Sequence, residues 1–445
     1  MIEVQERIVK RKSIKVTLII WTIIISLLMI GHIIDNTYIR LIILTIATIV
    51  YINFDAEVKL YLLLYSIPFI NFLRIGNENF SFLNIWMIIL FLNLSIYKMS
   101  IQKVNIVMFM SLLVIVTINL QAIGFSGYVS VLLNLLLVFM ICLIEYKDKF
   151  KINFEHISIF ISLGFILSSI FGLIMRIISP DKLGSIKLLS AIQGEYSLKI
   201  NRFTGLMVDP NYYAQGILIS IACILVCIIT IILNKSHRKN IKVYSLISIL
   251  IMLLIFGIYS YSKMFIITTA LIMSIFIIYI FSRKKNTFIK ISILVILCSI
   301  IIFSMEGIEI IIQRLLSNGD ITTGRSDILI NSINIIEKSS IFNLLFGVGI
   351  SGNVIIQKFG TALHNIYIES IASLGIIGMV IWGHILYIPT KKFNNFKVIN
   401  LYKYLPLLII VITGVALDGL WAKWHYFYIV IAITSIREIR LQKMG

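Results

Sequence analysis

The sequence lacks several short motifs that identify common enzyme classes. It has no Walker A loop, which excludes ATP hydrolysis at a P-loop, and neither C-x-x-C nor H-E-x-x-H occurs. Cysteine is scarce, and the four cysteines fall inside long apolar segments: Cys142, Cys223, Cys227 and Cys298. Cysteines in apolar surroundings are usually small packing residues, so neither a metal site nor a redox role is predicted for them.

Charge is also scarce, and apolar residues dominate the chain. Only 13% of the 445 residues are charged, 59% are hydrophobic, and the mean hydropathy is +1.01. A soluble domain cannot hide this much apolar surface, so lipid must be the solvent for most of it. Because apolar stretches long enough for a membrane-crossing helix recur from end to end, the sequence predicts an all-α polytopic membrane protein.

Twelve to fourteen helices are predicted to cross the bilayer, because two or three of the fourteen apolar segments are short. The segments are 17–34, 39–54, 60–74, 81–97, 104–122, 127–146, 154–178, 211–233, 243–259, 264–281, 290–304, 366–388, 400–419 and 424–436. No small-residue cleavage site follows the first one, which is predicted to be a retained helix. The connections carry about twice as many Lys and Arg residues on one side as on the other. This bias places both termini in the cytoplasm of a cell-membrane protein, and it accounts for the net charge of +19 without a nucleic-acid partner.

Two connections, 179–210 and 305–365, are long and are predicted to lie outside the cell. Their scattered apolar and aromatic residues favour ordered, functional loops. In the second, RSDILINSINIIEKSS (325–340) predicts an amphipathic interfacial helix, and LFGVGISG (345–352) predicts a turn. The result is one integral membrane domain, divided as 1–178, 179–210, 211–304, 305–365 and 366–445.

The stretch RFTGLMVDPNYYAQG (202–216) places a polar cluster at the mouth of an apolar helix. Asp209 is predicted to cap this helix, with Pro210 as its first residue. The free N–H groups of a helix N-terminus favour a phosphate, and Arg202 adds positive charge beside it. The alternative is structural: a plain helix cap, with Arg202 extending to the lipid headgroups.

Two further cations are predicted near the outer face. Lys263 lies in YSYSKMF (259–265), a turn so tight that it must be close to the interface, and Arg325 follows Gly324 in the second long loop. A snorkelling lysine and a solvated loop arginine are the structural alternatives. Neither long loop contains D-x-D, so a metal–sugar-nucleotide site has no support, and no metal or other cofactor is predicted.

The stretch HNIYIESIASLGIIG (364–378) opens the twelfth predicted span. At helical spacing, His364, Tyr367 and Ile368 would share one face of that helix. Histidine titrates near neutral pH, so His364 is suited to taking a proton from a sugar hydroxyl. The alternative is a structural histidine at the membrane interface.

Together these motifs resemble the O-antigen ligase and polymerase superfamily, whose members build bacterial surface polysaccharide. The resemblance covers about 200 to 380: an R-x-x-G…D-P-N block, a small-residue corner with a cation, G-R, G-V-G, and H-N followed by nine residues, Gly375, two residues and Gly378. It implies a GT-C-type fold and a metal-independent glycosyltransferase. It also implies substrates attached to undecaprenyl pyrophosphate on the outer leaflet.

The resemblance also implies roles for individual residues. Arg202 and Arg325 would stabilise the departing pyrophosphate, and His364 would activate or orient the acceptor hydroxyl. Lys263 stands where the family has arginine, so it can supply charge but not a bidentate fork. The remaining substrate-binding candidates are Gly205, Asn211, Asn365 and Tyr367. Arg202 and the mouth formed by Pro210 and Asn211 would be the floor of a pyrophosphate site, with the Tyr212–Tyr213 pair facing headgroups or sugar.

The motifs do not separate a polymerase of lipid-linked repeat units from a ligase that moves the finished glycan to another acceptor. The composition, rich in Ile, Lys and Asn and poor in Pro, favours an AT-rich, Gram-positive source and hence a polymerase. A lipid-linked oligosaccharide flippase or other transporter is the rival from another class, but it predicts charged residues in mid-membrane and two similar halves. The expected partners are undecaprenyl-pyrophosphate-linked glycans, the lipid bilayer, and flippase and chain-length regulator proteins.

Overall fold

The chain is folded almost entirely into helices. A computed structural model describes residues 2–74, 81–120, 124–146, 150–178, 202–233, 240–281, 325–392 and 398–438. The helices are α1 (Ile2–Ile34), α2 (Thr37–Ile52), α3 (Ala56–Ser66), α4 (Phe82–Leu94), α5 (Lys103–Ile118), α6 (Phe125–Val138), α7 (Phe154–Ile178), α8 (Pro210–Leu233), α9 (Asn240–Ile258), α10 (Lys263–Phe281), α11 (Arg325–Glu337), α12 (Ile341–Phe346), α13 (Gly352–Phe359), α14 (Ile366–Lys392), α15 (Leu405–Gly414) and α16 (Lys423–Glu438). Two-residue strands, β1 (Met99–Ser100) and β2 (Glu145–Tyr146), pair antiparallel. The predicted all-α class is confirmed.

Five segments in the described part of the chain are long and apolar enough to cross a membrane. They are Ile14–Ile34, Phe125–Leu143, Phe154–Ile178, Pro210–Leu233 and Ile366–Tyr387. Shorter apolar helices accompany them: Thr37–Ile52, Phe82–Leu94, Lys103–Ile118, Lys242–Ile258, Lys263–Tyr279 and Leu401–Gly414. The chain is therefore a polytopic helical membrane protein, as predicted.

Two predicted spans have the wrong bounds. The span 60–74 ends early, because α3 stops at Ser66 and a 3₁₀ turn over Ile67–Phe69 follows. Pro68 lies in that turn, and proline has no N–H with which to continue an α-helix. The span 400–419 is also too long, since α15 stops at Gly414 and residues 415–422 form a connection. The predicted span 290–304 lies outside the described residues.

The described part of the second long loop carries helices, as predicted. The amphipathic segment forms α11, which packs on α14 while Ile330 stays 58% exposed. The predicted turn connects α12 to α13, with Gly347 (φ 76°) and Gly349 (φ 108°) in conformations that favour glycine.

Helix α8 lies at the centre of the bundle. It packs against α7, α9, α10, α15 and α16, and nearly all of its residues from Tyr213 to Ile229 are buried. A helix that is apolar around its whole circumference needs such surroundings. Any site at the N-terminus of α8 is therefore held by several helices at once.

Contacts between the connections sort them into two ends of the bundle. At one end, Arg202 bonds Ser260 and Lys423 bonds Ser81. At the other, Lys242 pairs with Glu155 at 2.6 Å, and β1 pairs with β2. This grouping agrees with the predicted alternation of spans. Which end faces outside stays a prediction.

Candidate functional site

The N-terminus of α8 is built by the D-P-N sequence. Oδ1 of Asp209 accepts hydrogen bonds from the backbone N–H groups of Asn211 (2.6 Å) and Tyr212 (3.3 Å). Pro210 is the first helical residue, where its missing N–H leaves no helical bond unmade. The predicted cap and helix start are confirmed, and the positive end of the α8 dipole lies here.

Asp209 is close to charged groups from two distant segments. Loss of water raises the pKa of its carboxyl group, and the nearby Arg202, the two cap hydrogen bonds and His364 oppose that rise. Arg202 and His364, far apart in sequence, therefore both lie within electrostatic range of the start of α8.

Arg202 is fixed against α8 and the neighbouring corner. Its Nη2 donates to Oδ1 of Asn211 at 2.9 Å, and its Nε donates to the carbonyl of Ser260 at 3.0 Å. The Ser262 hydroxyl donates to the same Asn211 oxygen at 3.0 Å. Asn211 thus joins the predicted arginine to the predicted corner, and the guanidinium is held in one orientation.

The corner between α9 and α10 is as tight as the sequence predicts. Helix α9 ends at Ile258 and α10 begins at Lys263, with Tyr261 in the left-handed region at φ 47°. Lys263 is half-buried at the first position of α10, beside the Ser262–Asn211 contact. It therefore lies at the same end of the bundle as Arg202, as the resemblance implies.

His364 does not lie on a helix, so the predicted face shared with Tyr367 and Ile368 is wrong. Helix α14 begins two residues later, at Ile366, and His364 has a left-handed backbone with φ 49°. Its imidazole is instead turned toward the connection after α15. Nδ1 of His364 lies 3.8 Å from Oδ1 of Asp418.

Tyr212 links His364 back to α8. Its hydroxyl donates to the same Oδ1 of Asp418, and its ring packs on Trp424 with 5.1 Å between centroids. Tyr213 is fully buried, with its hydroxyl 2.6 Å from Ser169 Oγ. The expectation that this tyrosine pair faces headgroups or sugar is wrong for Tyr213, because consecutive helical residues point in different directions and Tyr213 points into the core.

Asn365 and Tyr367 have structural partners. Oδ1 of Asn365 accepts from the N–H groups of Tyr367 (3.0 Å) and Ile368 (3.1 Å), which makes Asn365 the cap of α14. Its amide nitrogen donates to the Val415 carbonyl at 3.4 Å, and the Tyr367 hydroxyl donates to the Val411 carbonyl at 2.8 Å. These contacts fasten the start of α14 to α15, and substrate binding by the two residues stays a prediction.

Gly205 allows close packing. Its φ is 53°, and an added Cβ would lie 2.8 Å from the ring of Tyr213 and 3.2 Å from Ser168 Oγ. Conversely, a Cβ on Gly172 of α7 would lie 2.8 Å from the Gly205 backbone. The glycine lets the segment that carries Arg202 lie directly on α7, and a direct contact with substrate stays a prediction.

Sequence reasoning missed Asp418 and Glu369. Asp418 had been absorbed into a span, although Asp-Gly is a turn signal that could have ended it earlier. Glu369, on α14, is 2% exposed, and its Oε2 accepts from the N–H groups of Gly419 (2.7 Å) and Leu420 (3.1 Å). A buried carboxylate thus holds the connection that carries Asp418.

Arg325 is the first residue of α11, but its side chain lies outside the described part of the structure. Its predicted contact with pyrophosphate therefore stays a prediction.

Comparison with known proteins agrees with the motifs. Residues 247–383 match the family described as O-antigen ligase. The matched segment contains the Lys263 corner, Arg325 and the motif at His364, whereas Arg202 precedes it. No curated protein matches the chain. Over residues 247–383 this membrane protein carries an O-antigen ligase family region, which confirms the resemblance and supports a ligase- or polymerase-type function.

Proposed function

We propose that this chain polymerises oligosaccharide repeat units linked to undecaprenyl pyrophosphate, on the outer leaflet of the cell membrane. The product would be a capsule, O-antigen or exopolysaccharide. The observation that carries the proposal is the meeting of Arg202, Asn211 and His364 around the N-terminus of α8. A cation beside a helix N-terminus suits a phosphate, and a histidine beside it suits a proton transfer.

In the proposed reaction, the acceptor hydroxyl oxygen attacks the anomeric carbon of the lipid-linked sugar. The bond from that carbon to the pyrophosphate oxygen breaks, and the lipid pyrophosphate leaves with the electron pair. Arg202 and the N-terminus of α8 stabilise the negative charge of this leaving group. His364 takes the proton of the hydroxyl.

A ligase is the second candidate, because the matching family is described as O-antigen ligase. Both reactions need the same departure of pyrophosphate, and they differ only in the acceptor. The polymerase is preferred because the composition indicates a source without a lipid A core to receive the glycan.

The test is the glycan profile of cells in which His364→Ala or Arg202→Ala replaces the wild type, with membrane levels checked. Single repeat units in place of long chains support the polymerase. Long chains that stay on the lipid support the ligase, and repeat units held at the cytoplasmic face would indicate a transporter.

Two matched controls accompany the test. His384→Ala changes another half-buried histidine of the same helix α14, and Arg40→Ala changes an arginine that bonds Thr37 and Asp35 between α1 and α2. Both should keep long chains. Unchanged chains in His364→Ala and Arg202→Ala would contradict the proposed site.

A further inference from the structure

Asp418 is placed and held in a way that plain packing does not require. Its side chain is only 5% exposed, yet one oxygen, Oδ1, both receives the hydroxyl of Tyr212 and lies 3.8 Å from Nδ1 of His364. A buried carboxylate is costly unless it is paired, so this arrangement has a steady energetic reason to persist.

The backbone that carries Asp418 is fixed from a third element. Glu369 of α14 accepts from the next two backbone N–H groups, at Gly419 and Leu420. Tyr212 holds the side chain from α8. The carboxylate therefore meets His364 from a position that α8 and α14 both define.

We infer that Asp418 is a positioning residue for His364, so that the two form a carboxylate–imidazole pair. The inference rests on the proposed function. With Nδ1 directed at Asp418, Nε2 is the nitrogen available to the acceptor hydroxyl. As the new glycosidic bond forms and the bond to pyrophosphate breaks, the hydroxyl proton moves to Nε2, and the carboxylate stabilises the imidazolium.

Other ionisable groups lie around this pair. Asp209 acts on His364 from the start of α8, with Arg202 beside it, and Glu369 and Tyr212 lie beside Asp418. Because the two cap hydrogen bonds occupy Asp209, Asp418 is the carboxylate with an oxygen directed at the imidazole.

The experiment uses the full-length protein in liposomes and the undecaprenyl-pyrophosphate repeat unit isolated from cells that lack this gene. Asp418→Asn should lower kcat about tenfold to a hundredfold with little change in KM, below the full contribution of about 10²- to 10⁴-fold expected of a general base. The acidic limb of the pH–rate profile should move to lower pH, because a neutral amide no longer favours the imidazolium. Asp418→Glu should recover part of the rate.

Two further variants guard against misfolding and loss of charge in general. Tyr212→Phe keeps the ring packing on Trp424 but removes the hydroxyl, so it should lower kcat several-fold and shift the same limb. Asp35→Asn is the matched control, since Asp35 lies 3.8 Å from Arg40 at an exposed turn and should leave rate and profile unchanged.

The outcomes separate the inference from the proposed function. If His364→Ala is inactive while Asp418→Asn and Tyr212→Phe keep the wild-type rate and profile, the inference is wrong and the function stands. A slow Asp418→Asn enzyme with an unmoved acidic limb and no recovery in Asp418→Glu would also overturn the inference. If Asp418→Asn does not accumulate in membranes, the Tyr212→Phe profile decides in the same way. A wild-type protein that elongates no chains would overturn the proposed function itself.

Discussion

At the scale of single residues, the candidate site depends on side chains that join distant segments. Asn211 accepts from both Arg202 and Ser262, and Asp418 lies between Tyr212 and His364. Short polar side chains such as these fix a cation and an imidazole without adding net bulk. The chemistry of Arg202 and His364 therefore depends on neighbours that do none themselves.

Gly205 gives a prediction at this scale. Gly205→Ala forces a side chain into a left-handed position and against the Tyr213 ring, so it should lower the free energy of unfolding by about 1–3 kcal/mol and displace Arg202. The control is Gly124→Ala, which has a similar φ of 74° but no atom within 4 Å of the new Cβ. Thermal unfolding in detergent measures both, and an equal loss in the two variants would show that packing at Gly205 does not matter.

At the scale of elements, two glycines bring α12 and α14 into backbone contact. Gly375 interrupts α14 with φ 67° and ψ 178°, and a Cβ there would lie 2.3 Å from the backbone of Leu345. On the other side, a Cβ on Gly347 would lie 2.3 Å from the backbone of Ser373. Backbone bonds from Val348 to Ala372 (2.9 Å) and from Gly349 to Ser373 (3.0 Å) close the contact.

This contact gives a physical reason for two parts of the sequence motif. The G-V-G turn and the glycine nine residues after H-N are the two sides of one close approach. It fixes the second long loop to the helix that follows His364.

Gly375→Ala should break this contact. The new methyl group cannot fit against backbone atoms, so we expect a loss of more than about 3 kcal/mol and the loss of long glycan chains. Gly383→Ala in the same helix meets no atom within 4 Å and should be neutral or slightly stabilising. Hydrogen exchange at residues 345–349 checks the mechanism, because unchanged protection in Gly375→Ala would contradict it.

At the scale of the whole molecule, the described connections form two ends of one helical bundle. The end that contains Arg202, His364 and Asp418 is the one that the Lys and Arg bias assigns to the outside. A lipid-linked donor on the outer leaflet could reach a site there without crossing the bilayer.

Cysteine labelling tests this orientation. Asp35→Cys, at the predicted outer end, should react with a membrane-impermeant maleimide in intact cells, whereas Lys98→Cys, at the predicted inner end, should react only after permeabilisation. Asp35 and Lys98 are both exposed. The wild type gives the background, to which Cys142, Cys223 and Cys227 should add little because they are buried. The reverse labelling pattern would invert the predicted topology.

Local features of the fold were readable from the sequence because their causes lie within a few residues. The bounds of α7, the cap at Asp209, the start of α8 at Pro210 and the corner before Lys263 all depend on neighbouring side chains and on hydropathy. The predicted amphipathic helix and glycine turn of the second long loop belong to the same class.

Only the tertiary structure decided how these parts meet. Tyr212 and Asp418 are separated by 206 positions, and His364 reaches Asp418 only because its backbone leaves the helical path. Such contacts leave no periodic pattern in the chain, and Asp418, Glu369 and the buried Tyr213 look like ordinary residues of apolar segments. The sequence by itself determined the membrane class and the residue types suited to phosphate and proton transfer. Their convergence at the start of α8 was decided by helix packing, because packing depends on shapes summed over the whole bundle.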